Sequence, residues 1–168
     1  MDDKPSIAFR KKRDSSLIKI IDDMKNGNLE ACISSGNTGA LLTSSLLILG
    51  KIEGIKRPAL APLIPIEKSG FILCDAGANV NVRPEHILQF AIMSSAYLEH
   101  SDNISKPRIA LLNIGIEENK GNDLYIKSYQ LLKSNLSNFI GNIESRDLFN
   151  NKADIVVCDG FTGNIVLK

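Results

Sequence analysis

Apolar and polar positions fall into blocks along this chain, and the blocks switch between two periods. Short continuous apolar runs, "GFILCD" (70–75), "RIALLNIG" (108–115) and "ADIVVCDG" (153–160), read as buried strands, with "EACIS" (30–34) and "NFIGNI" (138–143) as shorter ones. Between them the apolar residues recur at helical spacing. One helix is predicted from an Asp14 or Ser15 N-cap through "SLIKIIDDMKN" to Gly27, which suits a left-handed cap. Another covers Gly39 to Leu49, and the region from Arg57 to Ile64 is broken by prolines. Pro84 fits a first helical position, so "PEHILQFAIMSSAYLEH" reads as a long helix with Ile87, Phe90, Ala91 and Tyr97 near one face. "NDLYIKSYQLLKS" is a further helix. Strands alternating with helices through short turns argue for a largely parallel sheet with helices on both faces, an α/β domain over residues 1–168.

A weak echo runs through the strands: "ACISSGNTG", "ILCDAGANV" and "VVCDGFTGN" each carry a cysteine at the strand end and then a small polar cluster with glycine. This places Gly-rich turns at strand carboxyl ends, the edge where open parallel sheets bind ligands. In the first turn, Gly36 and Gly39 let the backbone approach a ligand, and Asn37 and Thr38 offer side-chain donors. With the free N–H groups of the following helix, the combination suits an anion, most simply phosphate. It matches neither the dinucleotide fingerprint nor the P-loop, and an ordinary turn capped by Thr38 is the alternative. "LLNIGIEENKGND" puts Asn113 at a strand end, followed by Glu117, Glu118 and Lys120 in a loop closed by Gly121. A lysine there neutralises a phosphate or a developing oxyanion, or is a plain surface lysine. "VCDGFTGNIVLK" repeats the first turn's logic with Asp159, Gly160, Thr162, Gly163 and Asn164.

Composition narrows the classes. The 168 residues, 43% hydrophobic and 23% charged, describe an ordinary soluble domain. A net charge of +1 argues against a nucleic-acid-coating protein, and the one basic cluster, Arg10 to Arg13, is followed at once by Asp14 and reads as a solvated surface. The opening "MDDKPS" is acidic, unlike a secretory signal, and Ala40 to Gly50 falls short of the roughly 18 residues of a spanning helix. Cys32, Cys74 and Cys158 lie in apolar runs as small buried hydrophobes, which fits a reducing cytoplasm. A cysteine acyl-enzyme at Cys74 or Cys158 would need exposure and an activating base, which their apolar flanks argue against. His86 and His100 are the only histidines, too few for a His-based metal site, and His86 is expected on a helix surface rather than on a ligand. No Gly-x-Gly-x-x-Gly is present, which argues against a nicotinamide-dependent dehydrogenase.

Five ordered segments, "SSGNTGALL", "LCDAGANVNVRPEHILQFAIM", "LLNIGIEENKGND", "NFIGNIESRDLF" and "VVCDGFTGNIVLK", carry a resemblance. Together with "LIKIIDDMKNGNLEACISSGNTGA" they resemble the phosphate acyltransferases of bacterial phospholipid synthesis, the PlsX family, from about Lys4 to Lys168. The resemblance implies a Rossmann-like three-layer α/β/α sandwich with a mostly parallel sheet, similar to phosphotransacetylases and isocitrate or isopropylmalate dehydrogenases. It implies transfer of a fatty acyl group from acyl-carrier protein to inorganic phosphate, giving acyl-phosphate that feeds glycerol-3-phosphate acylation. A cytoplasmic homodimer is implied, with peripheral membrane or glycerol-3-phosphate acyltransferase contact in the full-length family, and no metal, nucleotide or other cofactor. Family members are longer, with a glycine-rich strand and turn before the part present here and helices after it, so the chain is expected to be their middle part. A catalytically silent module that binds acyl-carrier protein or a lipid-synthesis partner is the alternative.

Phosphate is already ionised near neutral pH and a pantetheine thiolate is a tolerable leaving group, so positioning and charge stabilisation should dominate catalysis. At positions matching the family's motifs, Lys120 is expected to draw in phosphate or stabilise the tetrahedral oxyanion, and Asn164 to donate to the thioester oxygen. Asn37, Thr38 and Gly39 would hold phosphate, with Asn113 and Asn79 in support. Asp75 and Asp159, at strand ends, would orient Lys120 or a water, with a turn-forming role as the alternative.

Overall fold

A computed structural model describes Phe9 and residues 12–67, 69–101 and 104–168. The opening "MDDKPS" and Arg10 and Lys11 of the basic cluster lie outside the described residues. The chain divides into two compact units, Met1–Pro58 and Ala59–Lys168.

In the first unit, α1 (Ser16–Lys25) follows Ser15 as N-cap and buries Ile18 and Ile21, one helical turn apart. It ends at Asn26, and Gly27 takes φ +76°, as expected of a left-handed stop. The second helix, α2 (Thr38–Ile48), is capped by Asn37, not by Thr38: the Asn37 side chain accepts the N–H of Ala40 at 3.0 Å. The expected strand "EACIS" does not form. Ile33 is 97% exposed and Cys32 only half-buried, because no strand among the described residues of this unit offers a ladder for its backbone groups. The first Gly-rich turn therefore follows irregular chain and not a strand end.

The second unit holds the sheet: β1 (Leu63–Ile66), β2 (Ser69–Cys74), β3 (Ile109–Leu112), β4 (Phe139–Ile143) and β5 (Ile155–Val157), in the order β1-β2-β5-β3-β4. β2, β5, β3 and β4 are parallel neighbours, and β1 closes one edge as an antiparallel hairpin partner of β2, with Leu63 opposite Ile72. β1 was not predicted because the region from Arg57 to Ile64 reads as broken by prolines; Pro65 sits within the strand itself, and an edge strand tolerates proline where an inner one would lose ladder bonds. Three helices complete the unit: α3 (Pro84–Ser101), α4 (Asp123–Asn135) and α5 (Gly160–Leu167).

Alternation along the strands sorts the core into two layers. Ile72, Cys74, Ile109, Leu111, Ile155 and Val157 face α3 and α4, packing on Ile87, Phe90, Ala91, Leu98, Tyr129 and Leu132. Phe71, Leu73, Ala110, Leu112 and Val156 face the opposite way, onto Ile143, Leu148, Ala153 and Val166 of α5. Burying each valine, leucine, isoleucine or phenylalanine among these is worth about 1.5–3 kcal/mol. The result is a three-layer, Rossmann-like α/β arrangement around a mostly parallel sheet. Tyr97, expected on the buried face of α3, is 61% exposed, and Leu98 takes the seat at 2%. Eleven residues past Ile87 the helix returns to within about 20° of the same direction, whereas ten residues leave it some 80° away. His86 is buried as well, not on the surface: its Nδ1 accepts the N–H of Arg83 at 3.1 Å in the first turn of α3.

At the amino edge of the sheet, Asp154 accepts the backbone N–H of Arg108 at 2.7 Å and its Nε and Nη2 at 3.0 and 2.8 Å. This charge-assisted pair fixes where β3 and β5 begin, and so aligns their carboxyl ends.

Candidate functional site

The carboxyl edge gathers the segments after β2, β3 and β5. After β2, the carboxylate of Asp75, fully buried, accepts the N–H groups of Leu60, Gly77 and Ala78 on Oδ1 and both the backbone and side-chain N–H of Asn79 on Oδ2. Each would be costly to bury unpaired. The loop is thus wound around its own anion, and a phosphate has no place in that nest.

After β5, Asp159 repeats the device. As N-cap of α5 it accepts the N–H groups of Phe161 and Thr162 on Oδ1, and on Oδ2 the hydroxyls of Tyr125 at 2.6 Å and Thr162 at 2.7 Å. Burial works against its charge, but the Tyr125 and Thr162 hydrogen bonds outweigh it and hold its pKa below the ordinary aspartate value. Burial first, and then the bond to Asp159, push the Tyr125 phenol up, so it stays a neutral donor. The two loops are joined by the Gly160 N–H donating to the Asn79 carbonyl at 2.8 Å. Asn164 lies against Gly77, the nearest approach of a Cβ there being 3.5 Å.

After β3, Asn113 shapes the third loop: its Oδ1 accepts the N–H of Ile114 at 2.8 Å and its Nδ2 donates to the Lys120 carbonyl at 3.0 Å. Gly121 takes φ +91°, and a Cβ on it would meet Asn113 Oδ1 at 2.8 Å, so glycine is required for the loop to close. Lys120 Nζ stands 3.8 Å from Glu117 in a half-exposed pair. A contact this loose leaves the ammonium available to a stronger anion. Asn113, Ile114, Gly121 and Tyr125, with Leu112 and Val166, line a pocket of about 460 Å³. A neighbouring pocket of about 410 Å³ includes Asn81, Asp159 and Phe161 in its lining, and Asn122, Tyr125 and Thr162 line both.

The residues singled out in the sequence thus fall into three local groups. Asn113 and Lys120 share one loop, Asp75, Asn79, Asp159 and Asn164 share the joined turns, and Asn37, Thr38 and Gly39 form the start of α2 in the first unit. Lys120 meets Glu117 and Asn113 and lies over Gly115, and Asn164 lies against Gly77. Asp75 and Asp159 organise turns in this structure. Sequence reasoning missed Tyr125; its signal was its place three residues after Asn122, the N-cap of α4, which sets it in the first turn beside the sheet edge.

Cys74 and Cys158 are buried, and burial pushes the Cys74 thiol up to about 12 and the Cys158 thiol higher still, with Asp159 adding to the latter. Neither is an available nucleophile. Among the described residues no group of three His, Cys, Asp or Glu could hold a metal ion, and no helix is long and apolar enough to cross a membrane.

The model of the fatty acid synthesis protein family matches residues 1–168. The chain belongs to that family. Within it, the chain is 54% identical over 167 residues to the phosphate acyltransferase of Bacillus pumilus (strain SAFR-032), covering 99% of this chain and 50% of the relative. To the phosphate acyltransferase of Shouchella clausii (strain KSM-K16) it is 53% identical, covering 99% and 51%. It spans about half the length of the curated relatives it matches. Among solved structures, a phosphotransacetylase from Streptococcus pyogenes superposes with a TM-score of 0.65 at 17% identity, covering 88% of this chain and 52% of that one. That likeness establishes the fold of this family member as Rossmann-like.

Proposed function

We propose that the chain carries part of a phosphate acyltransferase that moves a fatty acyl group from acyl-carrier protein to inorganic phosphate, forming acyl-phosphate for phospholipid synthesis. The observation that carries this reading is the match, over 99% of the chain, to relatives named for acyl transfer to phosphate. The geometry supports it. A pocket with Leu112, Ile114 and Val166 in its walls adjoins the loop that bears Lys120, so apolar and cationic groups stand at one sheet edge.

In the reaction a phosphate oxygen attacks the thioester carbonyl, the carbonyl oxygen gains charge, and the carbon–sulfur bond breaks to release the carrier's thiolate. Lys120 neutralises phosphate or the oxyanion, and Asn164 donates a hydrogen bond to the thioester oxygen. Asn113 holds the Lys120 loop in shape through its bond to the Lys120 carbonyl. Within the first unit, Asn37, Thr38 and Gly39 at the start of α2 are a phosphate-holding turn, since first-turn N–H groups and the helix dipole favour an anion. In the second unit the turns at Asp75 and Asp159 already hold their own carboxylates and serve as frame. The protein acts in the cytoplasm as a homodimer.

The test is the mass of products formed from palmitoyl-acyl-carrier protein and phosphate, by this chain and by a form extended with the flanking sequence of the Bacillus pumilus relative. Acyl-phosphate from either form supports the reaction. Binding of the carrier protein with no acyl-phosphate from either overturns it in favour of a binding module.

A further inference from the structure

We infer that Tyr125 is a positioning residue for the reaction: through Asp159 it sets the first turn of α5, and with it the seat of Asn164. The inference rests on the function proposed above. Tyr125 belongs to α4 and Asp159 caps α5, and the 2.6 Å bond between them is the link, 34 positions apart in sequence, that ties the two helices at the sheet edge. The same hydroxyl lies 3.3 Å from Thr162 Oγ1 and accepts the Asp159 backbone N–H at 3.5 Å, so it meets the α5 turn at three points. Asp159 in turn holds the N–H groups of Phe161 and Thr162, which fixes the helix's rotation about its axis. Asn164 stands one turn further along, against Gly77. Tyr125, Thr162 and Asn122 are also the shared wall of the two pockets, so the same bond sets the shape of both.

A misplacement of about 1 Å in a reacting group costs about 10²-fold in rate. Tyr125→Phe keeps the ring and its packing and deletes only the hydroxyl. The experiment measures kcat and KM for phosphate in the active form of the protein for Tyr125→Phe, Asn164→Ala and the double variant, with amide exchange at Phe161 and Thr162 read in parallel. Expected are a kcat loss of about 10- to 10²-fold with KM for phosphate little changed, faster exchange at both amides, and no further loss when Tyr125→Phe is added to Asn164→Ala. Thr162→Val, which removes the other hydroxyl from Asp159 Oδ2, is expected to fall on the same pattern. Multiplicative losses in the double variant, or unchanged exchange at Phe161 and Thr162, overturn the positioning role while leaving the proposed function standing. A parent protein without acyl-phosphate formation overturns both.

Discussion

The carbonyl oxygen of Asp75 lies so close over Gly163 that a Cβ on that glycine would stand 1.9 Å from it, with the Cys158 sulfur 3.0 Å away on the buried side. Here α5 rests directly on the backbone of the turn after β2. Gly163→Ala is expected to destabilise the protein by about 3 kcal/mol, because the obstruction is main chain and cannot rotate aside. A chemical denaturation midpoint matching the parent's would contradict this contact.

Lys120 separates chemistry from stability. Its side chain is 46% exposed and its pair with Glu117 is long, so Lys120→Ala should leave the melting temperature within the range of a surface substitution. Turnover of acyl-carrier protein and phosphate should fall about 10²-fold or more. A folded variant with near-parental rate would remove Lys120 from the machinery.

The three cysteines should differ in reach. Cys32 is half-buried in the first unit, whereas Cys74 and Cys158 are buried beneath the sheet edge. An aromatic disulfide reagent is expected to titrate one thiol in the native protein and all three in denaturant. Rapid native labelling of Cys74 or Cys158 would reopen a covalent cysteine intermediate.

Acid sensitivity follows from Asp159 and Asp154. For Asp159 burial opposes ionisation, as it does for Asp154, and hydrogen bonds from Tyr125 and Thr162, and from Arg108, more than reverse it; both pKa values lie below the ordinary 3.8. A lowered folded pKa adds stability that is complete above the unfolded value and disappears as pH drops through the folded one. The melting temperature should therefore hold from neutrality to about pH 5 and decline below about pH 4. Asp159→Asn should lower the neutral-pH value and flatten that decline; a decline parallel to the parent's would assign the acid response elsewhere.

How much of this could be read from the chain depended on whether the cause was local. β2, β3 and β5 were legible because unbroken apolar runs between Gly-containing turns have one good use, a strand covered on both faces. "EACIS" carries the same local pattern and stays irregular, since a strand also needs a neighbour and its unit supplies none among the described residues. β1 was hidden for the converse reason: Pro62 before it and Pro65 within it argue against a strand, and its pairing with β2 decides otherwise. Lys120 and Asn164 are candidates that rest on their motifs, and the Asp75 and Asp159 turns were legible through their glycines. Tyr125 was not, because the bond that gives it a role spans from one helix to the cap of another.

β5 is three residues long and lies at the middle of the sheet, with Asp154 bonded to Arg108 before it and Asp159 bonded to Tyr125 after it. A strand so short, anchored at both ends, has no slack to part from its neighbours and let a molecule through.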